Sequence, residues 1–329
     1  MPKSPMDRET ITALVSDAAA APSMHNAQPW RFRFATASAT FSLRPDLERA
    51  MDLTDPAHRA LYIGCGAALF NLRVAAARAG WEPATTLLPD PADPELLAEV
   101  RLVESDKSQA DLARLYPAIR LRHTSRQPFT DEAISETVRN RLRSAAADEG
   151  AQLVFPDPWH AQSVLDLVDD AEERERAASP VRDETAQWSG AGAGDGASRT
   201  QGVPDHALGP RRWDGRAPVR DFATGRTVPG RGTAVFEQSP QLALLGTPDD
   251  HELDWLHAGQ AMEHVLLEAT LRGLSTSLTS HALEWPELRW AVRDPQSAMG
   301  YVQMALRLGF GPLTSATPRR PVEEILDIV

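Results

Sequence analysis

The sequence predicts an α+β fold, an α/β-type mixed sheet flanked by helices, and three observations predict it. Trp30, Phe32 and Phe34 alternate with Arg31 and Arg33, the period-two pattern of a strand with one buried face, and Val302, Met304, Leu306 and Leu308 alternate in the same way near the other end. Two longer stretches, Leu61 to Gly80 and Leu256 to Gly273, are apolar on most sides, which belongs to helices in the middle of a fold. With 329 residues and 42% hydrophobic content, the chain is long enough for roughly two core-forming units.

Taken in order, Ile11, Leu14, Val15, Ala18 and Ala19 recur at helical spacing, and Pro22 stands where that helix should stop. The strand at Trp30 follows, and Phe41 and Leu43 repeat its alternation more weakly. In the apolar run from Leu61 to Trp81, Asn71, Arg73 and Arg78 make a membrane span costly, so a buried helix ending at Gly80 is expected. Tyr116 to Asp131 leads to a helical stretch from Glu132 to Ala147, with a start near Thr130 or Asp131, and to a strand over Gln152 to Phe155. From Pro180 to Phe236 apolar periodicity vanishes and Gly, Pro, Asp, Arg and Ser dominate: an ordered long loop, a lid or a disordered insertion. Within it Gly202-Val203-Pro204, Gly209-Pro210 and Val219-Arg220-Asp221-Phe222 are the parts expected to be ordered. Gln241 to Leu245 reads as a buried strand. Gly259 and Gly273 are spaced as Gly66 and Gly80 are, a weak internal repeat. Pro321 to Val329 forms an acidic and apolar tail suited to docking along the body of the fold.

A net charge of −12 repels phosphate backbones and anionic headgroups, which disfavours nucleic acid and membrane surfaces as partners. Cys65 is the single cysteine, so no intrachain disulfide forms and redox work needs a cofactor. Met1 to Thr10 has no apolar core of the signal-peptide type, and a cytoplasmic location is expected.

Three segments carry candidate chemistry. Ala21-Pro22-Ser23-Met24-His25-Asn26-Ala27-Gln28-Pro29-Trp30 is either a ligand loop or a helix-to-strand connection whose Asn26 and Gln28 satisfy backbone groups. Arg122-His123-Thr124-Ser125-Arg126-Gln127-Pro128-Phe129 offers two guanidiniums and two hydroxyls with no adjacent carboxylate, as a phosphate requires, or else is a solvated basic turn. Thr317-Pro318-Arg319-Arg320-Pro321 adds two cations, which near a terminus are commonly surface charge. Other signals are weaker. Gly192 to Ala197 spells a dinucleotide fingerprint without the strand and helix it needs; His251, His257 and His264 lack metal-ligand spacing; Cys65 reads as a small core residue.

In this order the three segments resemble the nitroreductase superfamily, most closely its fused-repeat branch of Acg-like FMN-binding proteins, over nearly the whole chain. The resemblance implies a nitroreductase fold of two fused halves, 1–115 and 116–329, with 180–236 as a lid-like insertion, forming a pseudo-dimer around one FMN. Pro22, Ser23, Met24 and Asn26 would contact the isoalloxazine, and Arg122, His123, Thr124 and Arg126 would hold the phosphate end, joined by Arg319. Leu278, Thr279 and Ser280 fall where the family's loop passes the flavin edge, although its Glu-Gly is absent here. Each half lacks the element that the other keeps: nothing like Arg122–Arg126 precedes the first helix, and Ala145 to Gly150 stands where the second loop would be.

The activity implied is hydride transfer between NAD(P)H, or another substrate, and an electron-poor small molecule through the flavin, with no catalytic side chain required. The alternative is an FMN-sequestering protein whose 180–236 segment closes the flavin off. A monomeric pseudo-dimer or a loose homodimer fits either reading.

Overall fold

A computed structural model describes residues 6–104, 109–188, 200–223, 225–312 and 314–329. The Gly192–Ala197 fingerprint lies outside them. The helices are α1 (Arg8–Ala18), α2 (Arg59–Arg78), α3 (Ala110–Ala113), α4 (Tyr116–Ile119), α5 (Glu136–Asp148), α6 (Pro158–Ala177), α7 (Ser179–Gln187), α8 (Glu252–Leu271) and α9 (Pro286–Val292). The strands are β1 (Trp30–Ala35), β2 (Thr40–Pro45), β3 (Glu82–Leu87), β4 (Ala98–Val103), β5 (Gln152–Val154), β6 (Arg211–Asp214), β7 (Thr233–Val235), β8 (Gln241–Thr247), β9 (Ser275–Thr279), β10 (Tyr301–Gly309) and β11 (Leu326–Ile328).

Two main sheets form, in the orders β11-β1-β2-β4-β3 and β5-β8-β10-β9, while β6 and β7 make a small parallel pair. The first sheet buries Trp30, Phe32 and Phe34 and leaves Arg31 and Arg33 outside, as the alternation predicts. In the second, β8 is buried on both faces: α8 covers one, and Val164, Leu165 and Val168 of α6 with Leu288 and Val292 of α9 cover the other. That double cover explains why β8 reads as an apolar run rather than an alternation.

α2 packs on the first sheet, α8 on the second, and the two helices pack on each other. They cross at Gly66 and Gly259. A Cβ on Gly66 would sit 2.5 Å from the Leu256 carbonyl oxygen, and one on Gly259 would run closer still into the Ile63 carbonyl. Both helices end alike: Gly80 (φ 84°) and Gly273 (φ 73°) take the left-handed conformation, and the next amides, Trp81 and Leu274, donate back to Ala76 and Ala269. By length and composition α2 alone among the described helices could cross a membrane, but 89% of its most apolar window is buried inside the protein.

Several elements depart from the sequence reading. α5 begins at Glu136, not near Thr130, because residues 130–135 spend their amides elsewhere: Thr130 donates to the Phe310 carbonyl and Ile134 to the Gln241 side chain, before Ser135 caps the helix. Pro180 to Gln187 is helical rather than loop. The C-terminal tail ends in a strand: β11 pairs in parallel with β1, Phe32 opposite Leu326. These last residues therefore lie in the first sheet, although residues 116–309 build the second.

Alanine at Gly66 or Gly259 should destabilise the fold by about 1–3 kcal/mol, Gly259→Ala the more. Denaturant unfolding checks this.

Candidate functional site

The cavity that gathers these segments has a volume of about 430 Å³ and takes its walls from the loop after α1, from α2, α8, β9 and β10, and from the 200–222 segment. Pro22, Ser23, Met24, Asn26, Arg122, His123, Thr124, Arg126, Leu278, Ser280 and Arg319 all line it. Thr279 does not. Its hydroxyl donates to the Pro218 carbonyl, 3.0 Å away, so it holds the 200–222 segment instead of facing the cavity.

The loop after α1 is tightly wound. His25 (φ 48°), Asn26 (φ 58°) and Gln28 (φ 55°) all lie in the left-handed region, a strained run that the surroundings must enforce. The Gln28 amide donates to Ser23 Oγ at 2.8 Å. Asn26 Nδ2 donates to the Gly202 and Pro318 carbonyls, while its Oδ1 accepts from Arg319. Gln28 bonds the Thr200 carbonyl and the Arg320 amide. Asn26 and Gln28 thus satisfy backbone groups of segments some 170 and 290 residues away, and Gln28 Nε2 also donates to the Asn26 carbonyl of their own turn at 3.3 Å.

α1 ends at this loop, and the exposed carbonyls of its last turn attract cations. Arg319 donates to the carbonyls of Ala19, Ala20 and Ala21, and Arg122 donates to Ala20 at 3.1 Å. Neither arginine of the 319–320 pair is surface charge: Arg320 is buried and pairs with Asp46 at 2.9 Å. The expected freedom from carboxylates fails at Arg122. α8 brings the buried Glu263 to 3.4 Å from its Nε, and burial, opposed by Arg122, pushes the Glu263 carboxyl up.

The 122–126 segment is pinned beside β9 by the Ser125 amide, which donates to the Thr276 carbonyl at 2.7 Å. Ser125 itself is buried away from the cavity. Arg126 faces the cavity with no carboxylate within ion-pair distance among the described residues. It donates to the Ala207 carbonyl and lies 5.1 Å from the Phe222 ring, and burial lowers its pKa to about 10. His123 is driven down to about 4 by burial and by Arg122 and Arg319 beside it. This end of the cavity is therefore electropositive and short of counter-charge, the condition for holding a phosphate or similar anion.

Sequence reasoning missed the opposite end. There Asp250, from the turn before α8, accepts two bonds of 2.7 Å from Arg289 of α9 and others from Trp255 and Gln303; burial raises its pKa, but these partners bring it to about 2. Arg59, at the start of α2, is buried against the Gln303 carbonyl, and burial with Arg289 nearby lowers it to about 10. No local pattern announces this cluster, which three distant elements assemble. Elsewhere, Cys65 donates to the Pro29 carbonyl and burial pushes its thiol up, while His251 caps α8, His257 bonds the Glu149 carbonyl and His264 stacks on Phe70.

No family profile matches the chain. A Mycobacterium tuberculosis protein named "Putative NAD(P)H nitroreductase Rv3131" is 32% identical, covering 98% of this chain and 92% of its own length. The chain belongs to the nitroreductase family. Two further relatives from the same organism span similar lengths: "Uncharacterized protein Rv3127", 30% identical over 94% of this chain and 90% of its own, and "Putative NAD(P)H nitroreductase acg", 28% identical over 100% and 98%. Among solved structures, a BluB-like flavoprotein from Clostridium difficile (14% identity, 65% of this chain, 98% of that one, TM-score 0.42) and the FMN and NADPH-dependent nitroreductase NfnB from Sphigopyxis (14%, 65%, 97%, 0.40) overlap only partly, and family membership rests on the sequence relatives.

For this nitroreductase-family chain, the His123 imidazole should titrate near pH 4 in NMR, not near 6.5. Because the unfolded chain takes up that proton first, His123 favours unfolding as pH falls from about 6.5 to about 4. A phosphate-bearing ligand bound beside it should raise the midpoint.

Proposed function

We propose that the cavity holds one FMN per chain and that the protein is an FMN-dependent oxidoreductase, moving hydride between NAD(P)H, or another substrate, and an electron-poor small-molecule acceptor. Arg126 carries the reading: an enclosed guanidinium, without a carboxylate partner, aimed into a cavity of about 430 Å³ whose size lies within the ~300–1,000 Å³ of small-molecule sites. The Nη1 of Arg122, without a hydrogen-bond partner among the described residues, points the same way. Arg122, His123, Thr124, Arg126 and Arg319 would hold the phosphate. Pro22, Ser23, Met24 and Asn26 would meet the ring system, with Leu278 and Ser280 along its edge.

When bound, the flavin supplies the hydride chemistry, and the chain's part is to bind, orient and shield it. Asn26 ties the ring-facing loop to Gly202 and Arg319, so one side chain clasps three segments around the ligand. Val203, Val219, Arg220 and Phe222 close the cavity and exclude water.

The crossing at Gly66 and Gly259 and the matching ends of α2 and α8 support two fused halves, a pseudo-dimer whose seam is internal to one chain. One observation favours sequestration as a second reading. Arg220 reaches from the covering segment to Glu284 with two bonds of 2.8 and 2.7 Å, a buried contact that opposes opening.

The isolated protein should be yellow, with one FMN per chain, and anaerobic NADH or NADPH should bleach it promptly. A colour that persists would favour sequestration, and a colourless protein that refuses added FMN would sink both readings. Arg122→Ala and Arg126→Ala should each weaken FMN binding by about one to two decades, read by fluorescence titration, as expected for a charge-assisted bond.

A further inference from the structure

Two imidazoles, His25 and His281, line the cavity. His281 sits in the short turn that follows β9, only 2% exposed, and neither of its ring nitrogens has a hydrogen-bond partner among the described residues. His25 lies 5.1 Å from the Phe222 ring, which meets it edge-on. Its Nε2 faces the Arg220 guanidinium, which can only donate, so Nε2 accepts and the proton sits on Nδ1, where no partner stands.

Of the charged groups acting on these rings, Arg126, which acts on His25, lacks a carboxylate partner among the described residues, while Arg220, beside both, is paired. Arg220 bonds both oxygens of Glu284 and lies 3.6 Å from Glu175, and Ser280 donates to Glu284 at 2.7 Å. Burial, with Arg220 close by, keeps both imidazoles neutral. What the cavity offers here is a neutral N–H and a neutral lone pair between the apolar walls of Ile63, Met262 and Leu283. A buried polar group left without a partner is expensive, so the contents of the cavity supply it.

We propose that His281 is a specificity-determining residue: its ring N–H donates a hydrogen bond to an oxygen of a small uncharged acceptor, a quinone carbonyl or a nitro group. This rests on the flavin reading above. A neutral imidazole gives up its proton only with great difficulty, so His281 orients and polarises the acceptor without protonating it. Arg220, Glu284 and Glu175 are engaged with one another, so none of them is left free to hold a charged ligand.

The test uses the oxidised protein as isolated, without reductant, titrated calorimetrically with 1,4-naphthoquinone and with naphthalene, the same ring system lacking the oxygens. The ratio of the two affinities should fall about tenfold in His281→Phe with flavin content unchanged, and recover in part in His281→Asn, which keeps a donor. An unchanged ratio overturns the proposal. So does loss of flavin from both variants, which would give the imidazole to the cofactor. A colourless wild type would sink the flavin reading instead, and the same titrations on that protein would still decide the role of His281. Should neither variant fold, the His281 ring-nitrogen NMR signals of the wild type must move on adding the quinone and stay put with naphthalene.

Discussion

Everything in this molecule is built around two helix backbones in direct contact. Where Gly66 of α2 meets Gly259 of α8, no side chain intervenes, and each glycine lies against a carbonyl of the other helix. Side chains normally keep packed helices about 8–10 Å apart. Here their absence lets two nearly all-apolar helices share one core, with a sheet on the outer side of each. The cavity opens beside that crossing, with Ile63 and Gly64 from one helix and Met262 from the other in its wall. A site so placed draws its walls from segments far apart in the chain, Ser23 and Asn26 after α1, Arg126 before α5 and Arg319 after β10.

The charged groups show how such a site stays stable while it waits for a ligand. Burying cations is costly unless they are paired, yet Arg126 has no acid and Arg122 shares a single buried one. Main-chain carbonyls provide most of the compensation: those of Ala19, Ala20 and Ala21 at the end of α1, and that of Ala207. Carbonyls neutralise no charge, so the local potential stays positive, and Arg122 and Arg319 add to the burial that depresses His123. The winding of the loop at His25, Asn26 and Gln28 has the same logic, because strained backbone persists only where distant segments hold it.

Local pattern made the main elements legible. α1, β1, α2, β8, α8 and β10 carry enough apolar residues at the right period, and the Gly66–Gly80 spacing with its echo at Gly259–Gly273 marked the two helices that cross. α6 was missed although Asp157 and Pro158 form a clear start: its buried stripe of Val164, Leu165, Val168 and Ala171 is narrow and set among acids. β3 was missed because it is only half-buried along its length, so it alternates nothing. In the site, motif order found the residues near Asn26, Thr124 and Arg319. It failed at Thr279, whose direction depends on strand orientation, and at Glu263, Asp250 and Arg289, which meet only once the chain has folded.

The placement of β11 has a consequence for how the protein is made. β1 precedes in the chain nearly everything else in its sheet, but the strand that covers it comes long after, bonded through the Phe32 and Val329 amides to the Ile325 and Phe34 carbonyls. Until β11 docks, β1 keeps one open sheet edge, the kind that recruits stray strands. Arg319 and Arg320, just upstream, are equally late, so the clasp around Asn26 and Gln28 cannot close on a nascent chain. Closure of the loop therefore depends on residues 319–328, and removing them would leave the β1 edge and the clasp around Asn26 open together.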